Sequence, residues 1–409
     1  MRQRVDRAVG RLERRRRAAM GGALAAVIVL GGAAVWNSSA GRAAVPPGDG
    51  GSTTAATTAA TTAATTAATT AATAPMPAVA TTMPSPVDGW SAIPVGPRGV
   101  VTGAQVVWTG TEAMSVVGAF SDGAPAGVDA YNPFTQTWRV VALGAPVIVP
   151  IVAWTGNTLL AVGWSDDARN TVATQLDADG AWSLPVELPF GFKASPADPY
   201  VWTGGELLLL AGDRAVAFDP TLARWRELAS PPIAARLDGS SVWTGSEWLV
   251  WGGDAADATG ALGDGAAYDP ATDTWRTLSD SPLSPRLVGG VWTGTELLIT
   301  AGRSGNSDGM MAYADGAAYD PSTDTWRSLA DGPAHPGFQM AWDGASLYLF
   351  AKGGMTRYDL ATDRWVESFA GVPFCHDPTS PVWTGDRLIL LGCYDGTTGG
   401  AMLTPSART

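Results

Sequence analysis

The chain has 409 residues, 50 of them Gly and 18 Trp, with two Cys, two His and a net charge of −12. The charge is divided. Residues 1–50 carry nine Arg against three acids, a net of +6, which leaves −18 on residues 51–409. An acidic body of this kind lacks the basic footprint that nucleic-acid binding needs, and it serves solubility.

Residues 1–17 hold eight Arg and end in Arg14-Arg15-Arg16-Arg17. Residues 18–36, from Ala18 to Trp36, carry no charge. That length predicts one membrane-spanning helix with Trp36 at the interface, the basic end in the cytoplasm and the remainder outside. The alternative is a secretory signal peptide cleaved after Ser38-Ser39-Ala40, which would release the protein. Residues 37–87 read as a disordered tether. Its Thr-Thr-Ala-Ala repeats begin at Thr53, Pro75, Pro77, Pro84 and Pro86 follow, and the repeats offer no large apolar side chain for a core. Random-coil scaling gives it a reach of about 40 Å, and its composition is that of an O-glycosylated stalk.

From residue 88 one phrase recurs. Trp-Thr-Gly stands at Trp108, Trp154, Trp202, Trp243, Trp292 and Trp383, and Trp-Asp-Gly at Trp342, at intervals of 41–50 residues. Each copy predicts four short strands. In the clearest one, Val291–Trp292 is the first strand and Thr293-Gly294-Thr295-Glu296 a tight turn. Leu297 to Gly302 is an apolar second strand, Ala317-Ala318-Tyr319 the third, Asp320-Pro321-Ser322-Thr323 a turn, and Trp326 to Leu329 the fourth. Repeats of this period fit the blades of a propeller. Seven first halves are matched by six downstream Tyr/Trp halves, because the last copy ends at Thr409 before its Trp. Gly89-Trp90-Ser91-Ala92-Ile93 supplies the missing strand from the other end. The expectation is an all-β, seven-bladed ring over residues 88–409, closed by its N-terminal strand.

The wording resembles the kelch repeat. A Gly pair follows the second strand (Gly252-Gly253, Gly353-Gly354; Ala-Gly at Gly212 and Gly302). Tyr and Trp flank a turn at Tyr131/Trp138, Tyr268/Trp275, Tyr319/Trp326 and Tyr358/Trp365, with Phe218/Trp225 a variant and Leu176/Trp182 degenerate. Pro and Arg come next, as at Pro282 and Arg286. The resemblance implies a kelch-type β-propeller, a fold that hosts many functions.

Candidate site residues lie on the loops between blades. His335 and His376 each stand seven residues before their Trp, Arg236 seven before Trp243, and Arg286 six before Trp292. One reading has His335, His376, Asp377, Arg236 and Arg286 converging on a ligand pocket; the other has them capping loops around the channel. Ser304 to Asp315 resembles a calcium loop with Asn306, Asp308 and Asp315 as ligands, although its first position is Ser and its twelfth Asp. Cys375 and Cys393 pair as a disulfide if the ring lies outside the cytoplasm. Galactose oxidase, a propeller enzyme, builds a copper site from Tyr, Cys and His; Cys393-Tyr394 belongs to that vocabulary, but the full set cannot be assembled here. Nucleophile-elbow, phosphate-loop and zinc-helix motifs are absent. The expectation is a membrane-anchored extracytoplasmic binding module for a protein or glycan, with a monomeric ring, no nucleic acid and no cofactor beyond a divalent metal such as calcium. The alternative is an envelope or sugar-modifying enzyme.

Overall fold

A computed structural model describes residues 89–405, apart from residues 100–103, 119–125, 165–169, 258, 306–309, 337–338, 352–353, 371–379 and 393–397. The basic N-terminus, the expected membrane helix at 18–36 and the tether at 37–87 lie outside the described residues. Among the described residues no helix is long and apolar enough to cross a membrane.

Seven four-stranded antiparallel sheets follow one another. Blades 1 to 6 are built in chain order. Their first and last strands are Gln105–Trp108 and Thr137–Leu143, Ile148–Trp154 and Val186–Glu187, Tyr200–Trp202 and Arg224–Glu227, Ser240–Trp243 and Thr274–Thr277, Val291–Trp292 and Thr325–Leu329, and Met340–Trp342 and Arg364–Ala370. Blade 7 takes Ser380–Trp383, Leu388–Leu391 and Gly400–Leu403 from the C-terminal end and Trp90–Ile93 from the N-terminal end. The closing strand runs in register from Trp90 opposite Leu403 to Ile93 opposite Gly400, as the split phrase predicts. The first strand of each blade is the innermost, and first strands touch closely across every seam but that of blades 2 and 3, including blade 7 against blade 1. One apolar cluster spans blades 2 and 3. The seven sheets therefore close a ring, a β-propeller of seven blades.

Sequence explains the strands. In blade 5, Leu297–Thr300 is buried at all four positions because sheets cover both its faces. The third strand, Gly316-Ala317-Ala318-Tyr319-Asp320, is small where a neighbour presses on it. A Cβ at Gly316 would meet the Ile299 carbonyl at 2.9 Å. The turn between the first two strands needs Gly294 at φ +103°, and Thr293 Oγ1 accepts the Glu296 amide at 2.9 Å within it.

The core lies in the seams. Leu249, Trp251 and Val288 pack with Leu297, Ile299 and Tyr319 between blades 4 and 5. Trp90, fully buried, packs with Tyr348, Phe350 and Met355 between blades 6 and 7. Strand order puts the turns joining strands 1–2 and 3–4 on one face, here the lower. The connections between strands 2 and 3, and those between blades, stand on the upper face.

Candidate functional site

The lower face is occupied with holding the ring. In the turns between strands 3 and 4 of blades 2 to 6 the leading residue is Asp, and Asn132 in blade 1; it caps the backbone, as Asp320 does for the Ser322 amide at 2.8 Å. Four residues on, Asp273, Asp324 and Asp363 sit at φ +51°, a left-handed conformation that Asp tolerates. Each of these carboxylates accepts the hydroxyl of its blade's Tyr: Tyr268 at 2.7 Å, Tyr319 at 2.6 Å and Tyr358 at 2.5 Å. The same carboxylates accept backbone amides of the preceding blade, those of Ala229, Ser279 and Ala330, at 2.9, 3.0 and 2.9 Å. The Trp two positions further on donates its Nε1–H to the carbonyl of that very residue, at 2.8, 3.0 and 3.0 Å. Each of these three seams thus grips one residue of the neighbouring blade by both its amide and its carbonyl. Burial pushes the Tyr268 phenol up to about 12 and raises Tyr319 and Tyr358 as well. Hydrogen bonds from the tyrosines hold Asp324 and Asp363 below the usual carboxylate range.

A second lower-face device joins the turn between strands 1 and 2 to the fourth strand. Glu112 pairs with Arg139, Glu206 with Arg226, Glu247 with Arg276 and Glu296 with Arg327, with N–O distances of 2.6, 2.6, 2.8 and 2.7 Å. Arg276 also donates to the Tyr319 hydroxyl in the next blade at 2.8 Å.

On the upper face, the side chains of Arg236 and Arg286 are each bonded within a single blade. The Arg286 side chain is 0% exposed. Its Nε donates to the Ser284 carbonyl at 2.9 Å, and its terminal nitrogens reach the Ala301 carbonyl at 3.2 Å and both Asp315 carboxylate oxygens at 2.7 and 2.9 Å. The guanidinium also lies 3.9 Å from the Tyr313 ring centroid. Arg236, equally buried, bonds the carbonyls of Ala234, Gly252 and Asp264 and pairs with the Asp264 carboxylate at 3.1 Å. Arg98 does the same work in blade 1, pairing with Asp129 and donating to the Ala142 carbonyl at 2.6 Å. The bonds of Arg236 and Arg286 are thus directed at carbonyls and a carboxylate of their own blade.

His335 sits where Arg286 sits, one blade later. Its amide donates to the Tyr313 carbonyl at 3.1 Å and its carbonyl accepts from Gly302 at 2.9 Å; Arg286 makes the same pair with Leu262 and Gly253 at 3.0 and 2.8 Å. His376 and Asp377 lie outside the described residues, as do Asn306, Asp308, Cys375 and Cys393. Asp315 faces Arg286, whose hydrogen bonds hold its carboxyl below the usual range. Among the described residues no three His, Cys, Asp or Glu are grouped to hold a metal ion.

At the mouth of the central channel the loops leading into the inner strands are bonded to one another. The Asp238 amide donates to the Ala197 carbonyl at 2.7 Å, and the Val288 amide donates to the Asp238 carbonyl at 3.1 Å. The Asp198 carboxylate accepts the Ser195 amide at 2.8 Å and its hydroxyl at 3.2 Å. Sequence reading found the turn-leading Asp320 but missed these residues and Asp273, Asp324 and Asp363 on the lower face. It also missed the Glu–Arg pairs, which do leave a signal. Glu and Arg stand at their two positions together in blades 1, 3, 4 and 5, whereas blades 2, 6 and 7 have Thr158/Ser183, Ser346/Val366 and Arg387/Ser91.

No family model matches the chain, and no curated protein matches its sequence. Among 1054 matching chains of solved structures is YjhT, at 16% sequence identity and a TM-score of 0.41, covering 50% of this chain and 74% of that one. The assignment as a seven-bladed propeller rests on the strand pairing described above.

Proposed function

We propose that the chain is a membrane-anchored, extracytoplasmic, kelch-like propeller that acts as a binding module and receives a protein or glycan on its upper face. The observation that carries this reading is the asymmetry of the two faces. Lower-face turns are short, near-identical and internally bonded. The upper face carries what does not repeat, including two extra two-stranded elements, Arg236–Leu237 with Asp254–Ala255 and Arg303–Ser304 with Met311–Ala312. Recognition residues concentrate on loops held by a rigid scaffold. The Tyr–Trp pairs behind the kelch resemblance pack tilted against each other across strands 3 and 4, with ring centroids 5.0 Å apart at Tyr268/Trp275 and Tyr319/Trp326. The anchor follows from the uncharged residues 18–36 behind their Arg flank.

Two measurements test the reading. The full chain should stay with membranes through a high-salt wash, because burial of an apolar helix is not screened; a soluble product starting near Ala40 would refute the anchor. The full chain should also be screened on a glycan array and against envelope proteins. Changing His376 and Asp377 to Ala should abolish binding of a hit, and changing Thr293 and Thr295 to Ala should leave it intact. The reverse result would place binding on the lower face.

A further inference from the structure

Seven Trp stand at the lower ends of the seven inner strands, one before each turn of the recurring Trp-Thr-Gly or Trp-Asp-Gly phrase. Each ends its strand opposite the first residue of the second strand, as Trp202 does opposite Leu207 and Trp292 opposite Leu297. Each also packs on the apolar cluster shared with the preceding blade, Trp202 toward blade 2 and Trp292 toward blade 4 among them. All seven are nonetheless partly exposed. Among the described residues no indole N–H of the seven has a hydrogen-bond partner, and each reaches solvent. The downstream Trp of blades 1 to 6 behave differently. Each gives its N–H to a backbone carbonyl of the preceding blade, from Trp138 to Pro94 at 2.8 Å through to Trp365 to Ala330 at 3.0 Å. The inner Trp thus carry a donor that the fold leaves unused in every blade. The side chains around them are already spent. In six turns the Thr hydroxyl bonds both the amide and the carbonyl of the residue three positions on, as Thr244 does with Glu247 at 2.8 and 3.1 Å. In the seventh, Asp343 accepts the Ala345 and Ser346 amides and the Tyr348 hydroxyl. The Glu of four turns are paired with Arg, and Asp386 is paired with Arg387.

We propose that the lower rim of the channel docks a proline-rich chain, whose carbonyls accept the unused indole N–H groups and whose rings pack against the indoles. The inference concerns the face opposite the proposed binding role and does not depend on it. The chemistry of the rim selects the partner. Apolar rings, unmatched donors and turns without an unpaired charge ask for an uncharged ligand rich in acceptors. Pro supplies a carbonyl and no N–H. An ordinary peptide brings an N–H with each carbonyl, and a neutral glycan brings hydroxyl donors; at this rim those donors would meet side chains whose acceptors are taken, at a cost. A proline-rich chain is also extended before it binds, so it loses little conformational freedom, which is why aromatic-lined surfaces recognise such chains. Trp suits the protein side because its apolar body packs in the seam while its N–H stays wet.

Titration of the full chain with acetylated and amidated decaproline tests this, read from the indole N–H signals of its 18 Trp by two-dimensional NMR. A group of signals should move downfield, the direction of a newly accepted hydrogen bond. The Trp275 signal, whose N–H is already given to the Ala229 carbonyl, should stay. Trp292→Phe and Trp243→Phe each keep a ring in the seam and delete the donor. Each should weaken binding about three- to tenfold, and Trp275→Phe should leave it unchanged. No movement at millimolar peptide overturns the proposal, as does full affinity in both Trp292→Phe and Trp243→Phe. Cellohexaose, a neutral glycan, should move these signals far less; an equal or stronger response to it overturns the choice of partner. Should either variant not fold, Trp202→Phe and Trp342→Phe put the same question to blades 3 and 6.

Discussion

Blades 5 and 6 start alike and then part on both faces of the ring. Arg286 and His335 make the same two backbone bonds to the upper loop of the blade before them. Beyond that the blades differ. Blade 5 has a long upper connection ending in Asp315, which receives the Arg286 guanidinium on both carboxylate oxygens. Blade 6 joins its second and third strands between Ala351 and Gly354 and has no Asp there. The long loop, its carboxylate and the buried cation come together and go together. A buried guanidinium without its carboxylate would be costly, so a shortened loop forces a different residue at the lead-in position. Blade 6 shows the same rule on its lower side, where Ser346 and Val366 replace the Glu–Arg pair of blade 5.

The largest difference between the two blades should appear when the two lead-in residues are removed in turn. Arg286→Ala leaves the Ala301 and Ser284 carbonyls without their donor, whereas the Asp315 carboxylate, 42% exposed, can be rehydrated; the change should cost about 2–3 kcal/mol in urea or thermal unfolding. Arg286→Lys should recover little, since an ammonium cannot reproduce the two-pronged contact. His335→Ala should cost about 1 kcal/mol or less. Equal losses at the two positions would show that the blades are clamped alike.

Acid separates the blades next. Asp315 is held low by Arg286, so its contribution to stability is present above the ordinary carboxylate range and lost as pH falls through its lowered value. Acid unfolding of Arg286→Ala should lack that component. An identical shape for the two acid-unfolding curves would argue against the pair.

Tyrosine removal should give a smaller contrast. Tyr319→Phe loses a bond to Asp324 and one from Arg276. Tyr358→Phe loses its bond to Asp363. The expected losses are about 1–2 and about 1 kcal/mol, measured by urea unfolding. A larger loss at Tyr358 would reverse the assignment of the Arg276 bridge.

The smallest effect belongs to the exposed pair. Glu296→Gln should cost about 0.2–1 kcal/mol and lose that effect in high salt. Installing Ser346→Glu with Val366→Arg in blade 6 should yield a coupling of similar size in a double-mutant cycle, and zero coupling would show that the pair needs more than its two positions.

Much of the architecture could be read from sequence because propeller packing repeats. Every seam asks for the same Trp, Tyr and small residues, so their recurrence is visible without coordinates. The displaced strand at Trp90 was legible by subtraction, as the one fourth strand missing from the last copy. The upper face was not. Arg236 and Arg286 were expected either at a ligand or as loop caps, and nothing in the sequence sets the carboxylate of Asp315, 29 positions further along, against Arg286. That contact exists because the loop folds back over its own blade. Asp238 is equally silent in sequence, since its surroundings are assembled from three loops whose residues share no phrase.

The pairing of Trp90–Ile93 with Gly400–Leu403 also sets an order of events in the life of the chain. Ser91 and Met402 lie 311 positions apart, so the strand synthesised first receives its partner last. Blades 1 to 6 can form from local hairpins as they emerge, whereas closure waits for the far end and carries nearly the whole loop entropy of the ring. Until then Trp90 is uncovered and blade 7 has a raw edge, the features that invite aggregation and proteolysis. Closure is therefore a completeness test: a chain translated as far as Leu403 can hide Trp90, and a shorter one stays marked as unfinished.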